Sequence, residues 1–564
     1  MKHANPRRIL IAACWWLAVL PIISAANVSR ESEPAQRFGV HEIVLTGNGA
    51  AANPFDTEAT VTFSAPEGGS TTVHAFYDGG NTWRARVYVT AAGDWRWRSA
   101  APGDAGLDGK EGSFPAVAGP LRGMLKPHTD NPRQWMTDDG RTFLNFSDTA
   151  YYLFSDRALD GSPLTDATFR DYVTQAAAHN ITSLRANVAL LRDPEWASYF
   201  ADASREKINF VSFQRTDARM EWMLNHYPDL YLQLILVPES NTGWKKDETF
   251  WAALPAATRT RLMKHLIARY AAWPQVFWLI GNDYAYGDKH PNNTAQAHEW
   301  GAYFAAHDPW GHLLSTGRNR HEPAPFPSAP WNTYLHLETA AALAAGQIDQ
   351  HAEWPRHVFN GEDQYEYPAP KAERRPAPAA AGDPHQEPLP PARRLESDHA
   401  RYFYRWLFWS WLLSGGSANY GTADWNHLKP YETTTYTGLD SVRHILPYFT
   451  ERKIDPAQWT PDDARAWDAE GVTGDRKVQA MRHGTRELLV YHPNAARAGL
   501  APVLKAGAAT LRADLRGFPE TLDAEWFRAH DGVVQPGGTV AGGGIVDLAA
   551  PWEGHDVVLH LKPR

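Results

Sequence analysis

The chain has 564 residues, of which 43% are hydrophobic and 21% charged, the composition of an ordinary globular protein. Its formal net charge is -9, and the mature part has no run rich in Lys and Arg. A nucleic-acid partner is therefore not expected.

Lys2, Arg7 and Arg8 precede an apolar stretch from Ile9 to Ile23, and Ser24, Ala25 and Ala26 follow as small residues. This is the pattern of a signal peptide over residues 1–26, so export to the periplasm or the cell exterior is expected. The stretch is shorter than the ~20 apolar residues of a membrane span, so no integral membrane segment is expected once it is removed. Cys14 is the only cysteine. Lipidation there ranks second to simple cleavage, because the apolar region before it is very short. Without further cysteines the mature chain has no disulfides, no thiolate nucleophile and no Cys-ligated zinc.

Residues 37–118 alternate polar and apolar positions between Gly, Pro and Asn turns, most clearly from Trp83 to Val89 and from Asp94 to Arg98. Strands at ~10-residue intervals with no helical period between them predict a β-sandwich. From Arg141 the rhythm becomes strand, then helix. Strands are expected at 143–146, 181–188, 231–237, 276–280, 312–315, 334–337, 357–359 and 418–420. Helices are expected near 166–179, 213–225, 257–271, 294–306, 339–350 and 397–413. Eight such strands predict one (β/α)₈ TIM barrel over residues 125–450. A doubly wound open sheet is the second choice, but Asn145-Phe146-Ser147-Asp148 is not a Gly-rich phosphate loop. Residues 368–394 are dense in Pro, Ala and charge and read as an extended insertion at the site rim. Alternating strands return over 456–564, which predicts a second, small β-sandwich.

In such a barrel the chemistry sits where strands end at their C-terminal side. Val276 to Ile280 runs into Gly281-Asn282-Asp283, and His357 to Asn360 runs into Gly361-Glu362. Two carboxylates facing one another there are the minimum equipment for cleaving a glycosidic bond. Asp283 is the candidate general acid, after an aromatic run that can desolvate it, and Glu362 the candidate nucleophile. Asn282 can bind a hydroxyl beside the scissile carbon. Asp148, Arg185, Asn187, Glu239, Tyr365, Tyr420 and Trp425 lie at other strand ends and are candidates for substrate binding. Each can equally be a turn cap, core or rim residue. An Arg in an apolar strand needs an acidic partner, so Arg185 is expected to orient Glu362 or Asp148. His298, His307, His312 and His321 lack metal-ligand spacing, so neither a catalytic metal nor a cofactor is expected.

The segments Phe143 to Phe154, Phe277 to Asp283, Asn360 to Glu366 and Gly415 to Trp425 resemble the apiosidase-like glycoside hydrolases. Phe76-Tyr77-Asp78-Gly79 with Trp83 and Gly93-Asp94-Trp95 resembles that family's N-terminal module. Glu525-Trp526-Phe527 with Asp531-Gly532 resembles its C-terminal module, often named collagen-binding. The resemblance implies a retaining (β/α)₈ enzyme with Asp283 as acid/base and Glu362 as nucleophile. It also matches Asp148 to the Asp of the family's Gly-Asp-Thr-Ala-Trp segment. Ser147 and Tyr151 depart from that segment, and Gly281-Asn282-Asp283 departs from the family's Gly-Gly-Asp. The family's apiose substrate therefore stays open, and an oligo- or polysaccharide is the expected partner. A carbohydrate-binding protein on a decayed barrel is the alternative, against which both retained carboxylates argue. A peptidase is disfavoured by the lack of a His-Glu-x-x-His helix or a Gly-x-Ser-x-Gly elbow.

Overall fold

A computed structural model describes residues 26–158, 160–189, 195–237, 254–318, 324–338, 354–363, 365–366, 397–422, 428, 436–473, 477–496 and 504–564. The signal segment, Glu239, Trp425, the expected helix near 339–350 and the insertion at 368–394 lie outside these residues.

Eight strands between Ala26 and Val117 are joined by hydrogen bonds into one sheet. Its long strand Ala35–Thr46 pairs with Glu111–Val117 only through Ala35 and Gln36, and with Thr82–Tyr88 from Val40 onward. Between the two pairings Phe38 takes a φ of 67°. The strand turns a corner there, and the sheet folds over on itself. Val61, Phe63, Trp95 and Phe114 from one half then pack with Ile43, Leu45, Trp83 and Val87 from the other.

The central region holds eight parallel strands: β1 (Phe146–Thr149), β2 (Ser183–Asn187), β3 (Tyr231–Val237), β4 (Val276–Gly281), β5 (Leu314–Ser315), β6 (Leu335–Glu338), β7 (Val358–Glu362) and β8 (Ser417–Tyr420). Their order is β5-β4-β3-β2-β1-β8-β7-β6. The end strands approach each other, since Thr333 N donates to Leu314 O at 2.8 Å just before β6. The sheet is thus nearly closed and barrel-like. Helices α1 (Asp166–Ala178), α2 (Phe210–His226), α3 (Ala256–Tyr270), α4 (Pro291–His307) and α5 (Ser397–Leu413) lie between strands. Thr165 and Asn209 accept hydrogen bonds from the first turns of α1 and α2, satisfying donors that a helix start leaves open. Every residue of β3 is buried, because a parallel strand in such a sheet is covered on both faces.

Several strand boundaries differ from the sequence expectation, and three of them bear on the site. Phe143 is not in the first parallel strand; it pairs with Trp135 in an antiparallel sheet with Leu125–Pro127. That small sheet packs Trp135 and Leu125 against Phe277, Tyr334 and Phe359, covering one end of the barrel-like sheet. Strand six runs one residue further, to Glu338, and strand seven runs to Glu362.

A six-stranded and a three-stranded sheet follow between Thr460 and Pro563 and share the core Leu488, Val490, Leu511, Trp526 and Leu559. From Ala400 onward helix α5 is buried nearly all round, with Trp406, Trp409 and Trp411 inside. It lies between the barrel and this last unit, where Trp409 meets Tyr491 and Phe527 at 6.0 Å each. Among the described residues no helix is long and apolar enough to cross a membrane.

Charged groups join the first sheet to the barrel. Arg86, buried, bonds Glu42 at 2.8 Å and Asp217 of α2 at 2.6 Å, and donates to the carbonyl of Arg269 on α3 at 2.7 Å. Arg269 in turn meets Asp78 and Asp217, each at 2.8 Å. Three arginines around Glu42, led by Arg86, hold its carboxyl down at about 2 despite burial.

Candidate active site

The ends of β4, β6 and β7 bring Asp283, Glu338 and Glu362 together. One carboxylate oxygen from each lies within 4.8 Å of the other two. Asp283 follows β4 in the left-handed backbone region, with φ of 57°, which short polar side chains tolerate best. It is the half-exposed member of the trio, while Glu338 and Glu362 are buried. Gly281 is tied to the end of β5, its carbonyl accepting from Gly317 N at 2.7 Å.

Glu362 owes its aim to an irregularity. Leu337 faces Asn360 across β6 and β7, but the next pair is Glu338 with Glu362, so Gly361 is an extra residue. The bulge brings both glutamates onto one level. Only glycine fits there: a Cβ on Gly361 would lie 1.9 Å from Cε1 of His336. Gly361→Ala should therefore displace the ring or the strand and shift Glu362, with activity falling by about 10²-fold. Steady-state kinetics beside a circular dichroism melt checks this; unchanged kcat/KM would show that the bulge does not set the geometry.

Arg185, in the middle of β2, is the centre of the site. It is fully buried and donates to Gln233 Oε1 at 2.9 Å, to Asn282 Oδ1 at 2.7 Å and to the carbonyl of Gly361. Its guanidinium is 3.6 Å from Glu362 and 3.9 Å from Glu338. Of the two carboxylates named as possible partners of Arg185, Glu362 is the one within ion-pair distance of it. Tyr151 adds a hydroxyl that donates to Glu362 Oε2 at 2.5 Å, and its ring lies under Arg185 at 5.4 Å. Burial holds the Tyr151 hydroxyl protonated, its pKa well above the usual tyrosine value. Asn282 also donates to Asp283 at 3.2 Å, linking that carboxylate to Arg185.

Below this layer, Gln233 Nε2 donates to Tyr334 Oη at 2.8 Å and to His336 Nδ1 at 3.2 Å. The amide assigns the imidazole hydrogen to Nε2. Burial, then the charge of Arg185, pushes the His336 pKa well below its ordinary value, so the ring is neutral. Its Nε2 is 3.5 Å from Glu338.

Other expected residues fall elsewhere. The Asp148 carboxylate accepts from Tyr172 on α1, on the helix side of β1 and away from the trio. Tyr420 is fully buried and its hydroxyl donates to Glu366 at 2.6 Å, so it braces the loop after β7. Glu366 also accepts from the amides of Thr437 and Gly438, and burial raises its pKa to about 6. Tyr365 packs its ring over Gly421, where a Cβ would come within 2.6 Å. Asn187 is buried at the end of β2, its amide N–H bonded to the Tyr151 carbonyl at 3.2 Å. Glu338, Tyr151, Gln233 and His336 are absent from the sequence expectation. For Glu338 the signal was present: a hydrophobic strand ending in a carboxylate, the same pattern that marks Asp283 and Glu362.

Three carboxylates this close can in principle bracket a divalent cation. Arg185 already places a positive charge against two of them.

Known proteins share this architecture. The family described as "Domain of unknown function (DUF5060)" matches residues 34–102. No curated protein matches the sequence. Among solved structures, a "putative glycoside hydrolase" from Bacteroides vulgatus ATCC 8482 superposes with a TM-score of 0.68 at 16% identity, over 94% of this chain and 99% of that one. A structure named "Glycoside hydrolase" gives 0.59 at 15% identity, over 78% and 97% of the two chains. A glycoside hydrolase family 5 protein from the same Bacteroides gives 0.58 at 14% identity, over 78% and 93%. At these identities the likeness is one of fold: the chain has a multidomain, β-rich, glycoside hydrolase-like fold.

Proposed function

We propose that the protein is an exported retaining glycoside hydrolase whose central region is a closed (β/α)₈ barrel. The observation that carries this reading is the approach of Asp283 and Glu362 within 4.8 Å at the strand ends, with Glu362 held by Tyr151 and Arg185. Carboxyl groups ~5–5.5 Å apart serve retention, whereas inversion needs ~6.5–9.5 Å to seat a water between them. The short approach supports retention.

In the first step a Glu362 oxygen bonds the anomeric carbon while the bond to the leaving oxygen breaks, and Asp283 gives that oxygen its proton. In the second, Asp283 takes a proton from water, the water oxygen bonds the anomeric carbon, and Glu362 leaves as a carboxylate. Arg185 and Tyr151 favour the ionised Glu362 needed at the start and regenerated at the end. The substrate class is an oligo- or polysaccharide side chain, of plant type or other, as the resemblance to the apiosidase-like family suggests.

The test is stereochemical. Purified protein is incubated with pectic and hemicellulosic oligosaccharides, and the first sugar released is followed by proton NMR. The expected product keeps the anomeric configuration of the substrate. A product of opposite configuration, or no sugar released from any of them, would sink the reading.

A further inference from the structure

Glu338 is the member of the trio that two-carboxylate chemistry leaves without a task. Its side chain is completely inaccessible, and neither carboxyl oxygen receives a hydrogen bond from any N–H or O–H among the described residues. An ionised carboxylate in such a place would be left without the donors that burial demands. Among the described residues the charged or titratable groups around it are Arg185, His336, Asp283, Glu362 and Tyr286, the last with its hydroxyl bonded to that of Thr316 at 2.8 Å. Arg185 is 3.9 Å away and spends its N–H groups on Gln233, Asn282 and Gly361. His336 is neutral and 3.5 Å away. Asp283 and Glu362 bring two further carboxyls within 4.8 Å. The close contact that Glu338 makes is with the carboxyl of Asp283. Two carboxylates repel at that distance, and they bond only when one of them carries a proton.

We propose that Glu338 is a positioning residue, held as the neutral acid, whose O–H donates to the carboxylate of Asp283. The proposal rests on the glycosidase reading above and deepens it. Asp283 alternates between acid and base, so it is ionised throughout the life of the glycosyl-enzyme. A fixed donor behind it stabilises that ionised form and aims its free oxygen at the incoming water. The Glu338 proton itself is never transferred; the hydrogen bond strengthens when Asp283 loses its proton and weakens when Asp283 regains one. Burial supplies the permanence: it raises the Glu338 pKa well above the carboxylate range, with the Asp283 charge the next cause. The arrangement also suits an Asp at this position. Its carboxyl is one methylene nearer its own backbone than a Glu carboxyl would be, and Glu338 reaches toward it from the neighbouring side of the cleft.

A glutamine imitates a protonated glutamate, because its amide keeps the shape and the donor. A leucine keeps the size and loses the donor. With an aryl glycoside of good leaving ability, Glu338→Gln should stay within a few-fold of the parent. Glu338→Leu should lose about ten- to a hundredfold in the hydrolysis of the glycosyl-enzyme, while its formation stays fast, so a burst of phenol precedes a slow steady state. A merely structural residue would slow both steps together. Equal loss in the Gln and Leu proteins would overturn the proposal, since it would mean that the site needs Glu338 ionised, as base or as cation ligand. A second measurement needs no turnover. Infrared spectroscopy of the intact protein at neutral pH should show a carboxylic-acid C=O band that Glu338→Gln lacks. Absence of that difference would overturn the protonated state. A protein that hydrolyses no glycoside yet shows the band would refute the glycosidase reading and leave the proton on Glu338.

Discussion

Glu362→Gln is expected to reduce turnover by roughly 10⁴–10⁶-fold, the range seen when a nucleophile or its immediate partner is lost. The amide cannot form the glycosyl ester, so activated and unactivated substrates should suffer alike. Folding should be little affected, because the Tyr151 hydroxyl can still donate to the amide oxygen in place of Glu362 Oε2. Asp283→Asn should behave differently. Formation of the glycosyl-enzyme should lose ~10²–10⁴-fold on an oligosaccharide, whose alkoxide leaves poorly without a proton, and far less on an aryl glycoside. Single-turnover rates on the two substrate types separate the roles. Equal losses for Asp283→Asn on both would remove the acid assignment, and a Glu362→Gln protein with near-parental rates would remove the nucleophile.

The largest effect on stability is expected at the seam between α5 and the C-terminal sheets. Arg405 on α5 meets Asp556 through Nε at 3.1 and 3.0 Å and through Nη2 at 2.8 Å, and Tyr491 adds a hydroxyl to Asp556 at 3.1 Å. Arg405 is 2% exposed and Asp556 fully buried. Arg405→Ala leaves that carboxylate in an apolar seam with one donor and should cost about 3–5 kcal/mol. Replacing the cluster together, as Arg405→Met, Asp556→Leu and Tyr491→Phe, should recover most of this, because no buried charge then remains unpaired. Urea unfolding followed by tryptophan fluorescence reports both proteins. If the triple variant were as unstable as Arg405→Ala, the loss would come from packing around α5 and not from the stranded charge.

What could be read from the sequence divides along physical lines. Strand β3 and helix α5 were legible to within a residue, because one is a short run of β-formers between turns and the other a long apolar period. Asp283 and Glu362 stand out in the sequence because each lies at the end of a hydrophobic run. Glu338 escapes by one position: it falls between the strand expected at 334–337 and the helix expected near 339–350. Tyr151 stood out only as a departure from a family motif, since nothing local says that its hydroxyl reaches a residue 211 positions away. The Arg84 and Arg86 face of the first sheet looks in sequence like an ordinary solvated face. It is covered instead by α2 and α3, through partners such as Asp217, 131 residues from Arg86. Alternation tells which residues share a face, but not what the polar face meets.

That covered face bears on how such a chain can change over evolutionary time. A binding module on a flexible tether can be exchanged for another without penalty to its host. Here Glu42, Arg86 and Arg269, all buried, and the partly exposed Asp217 form one charged set drawn from both units. Exchanging the first unit alone would strand Asp217 and Arg269 on the barrel, and recombination at the linker would be purged for lost stability. The two units are therefore heritable only as a pair, and the first is a fixed wall beside the barrel, with no freedom to range over a polymer surface.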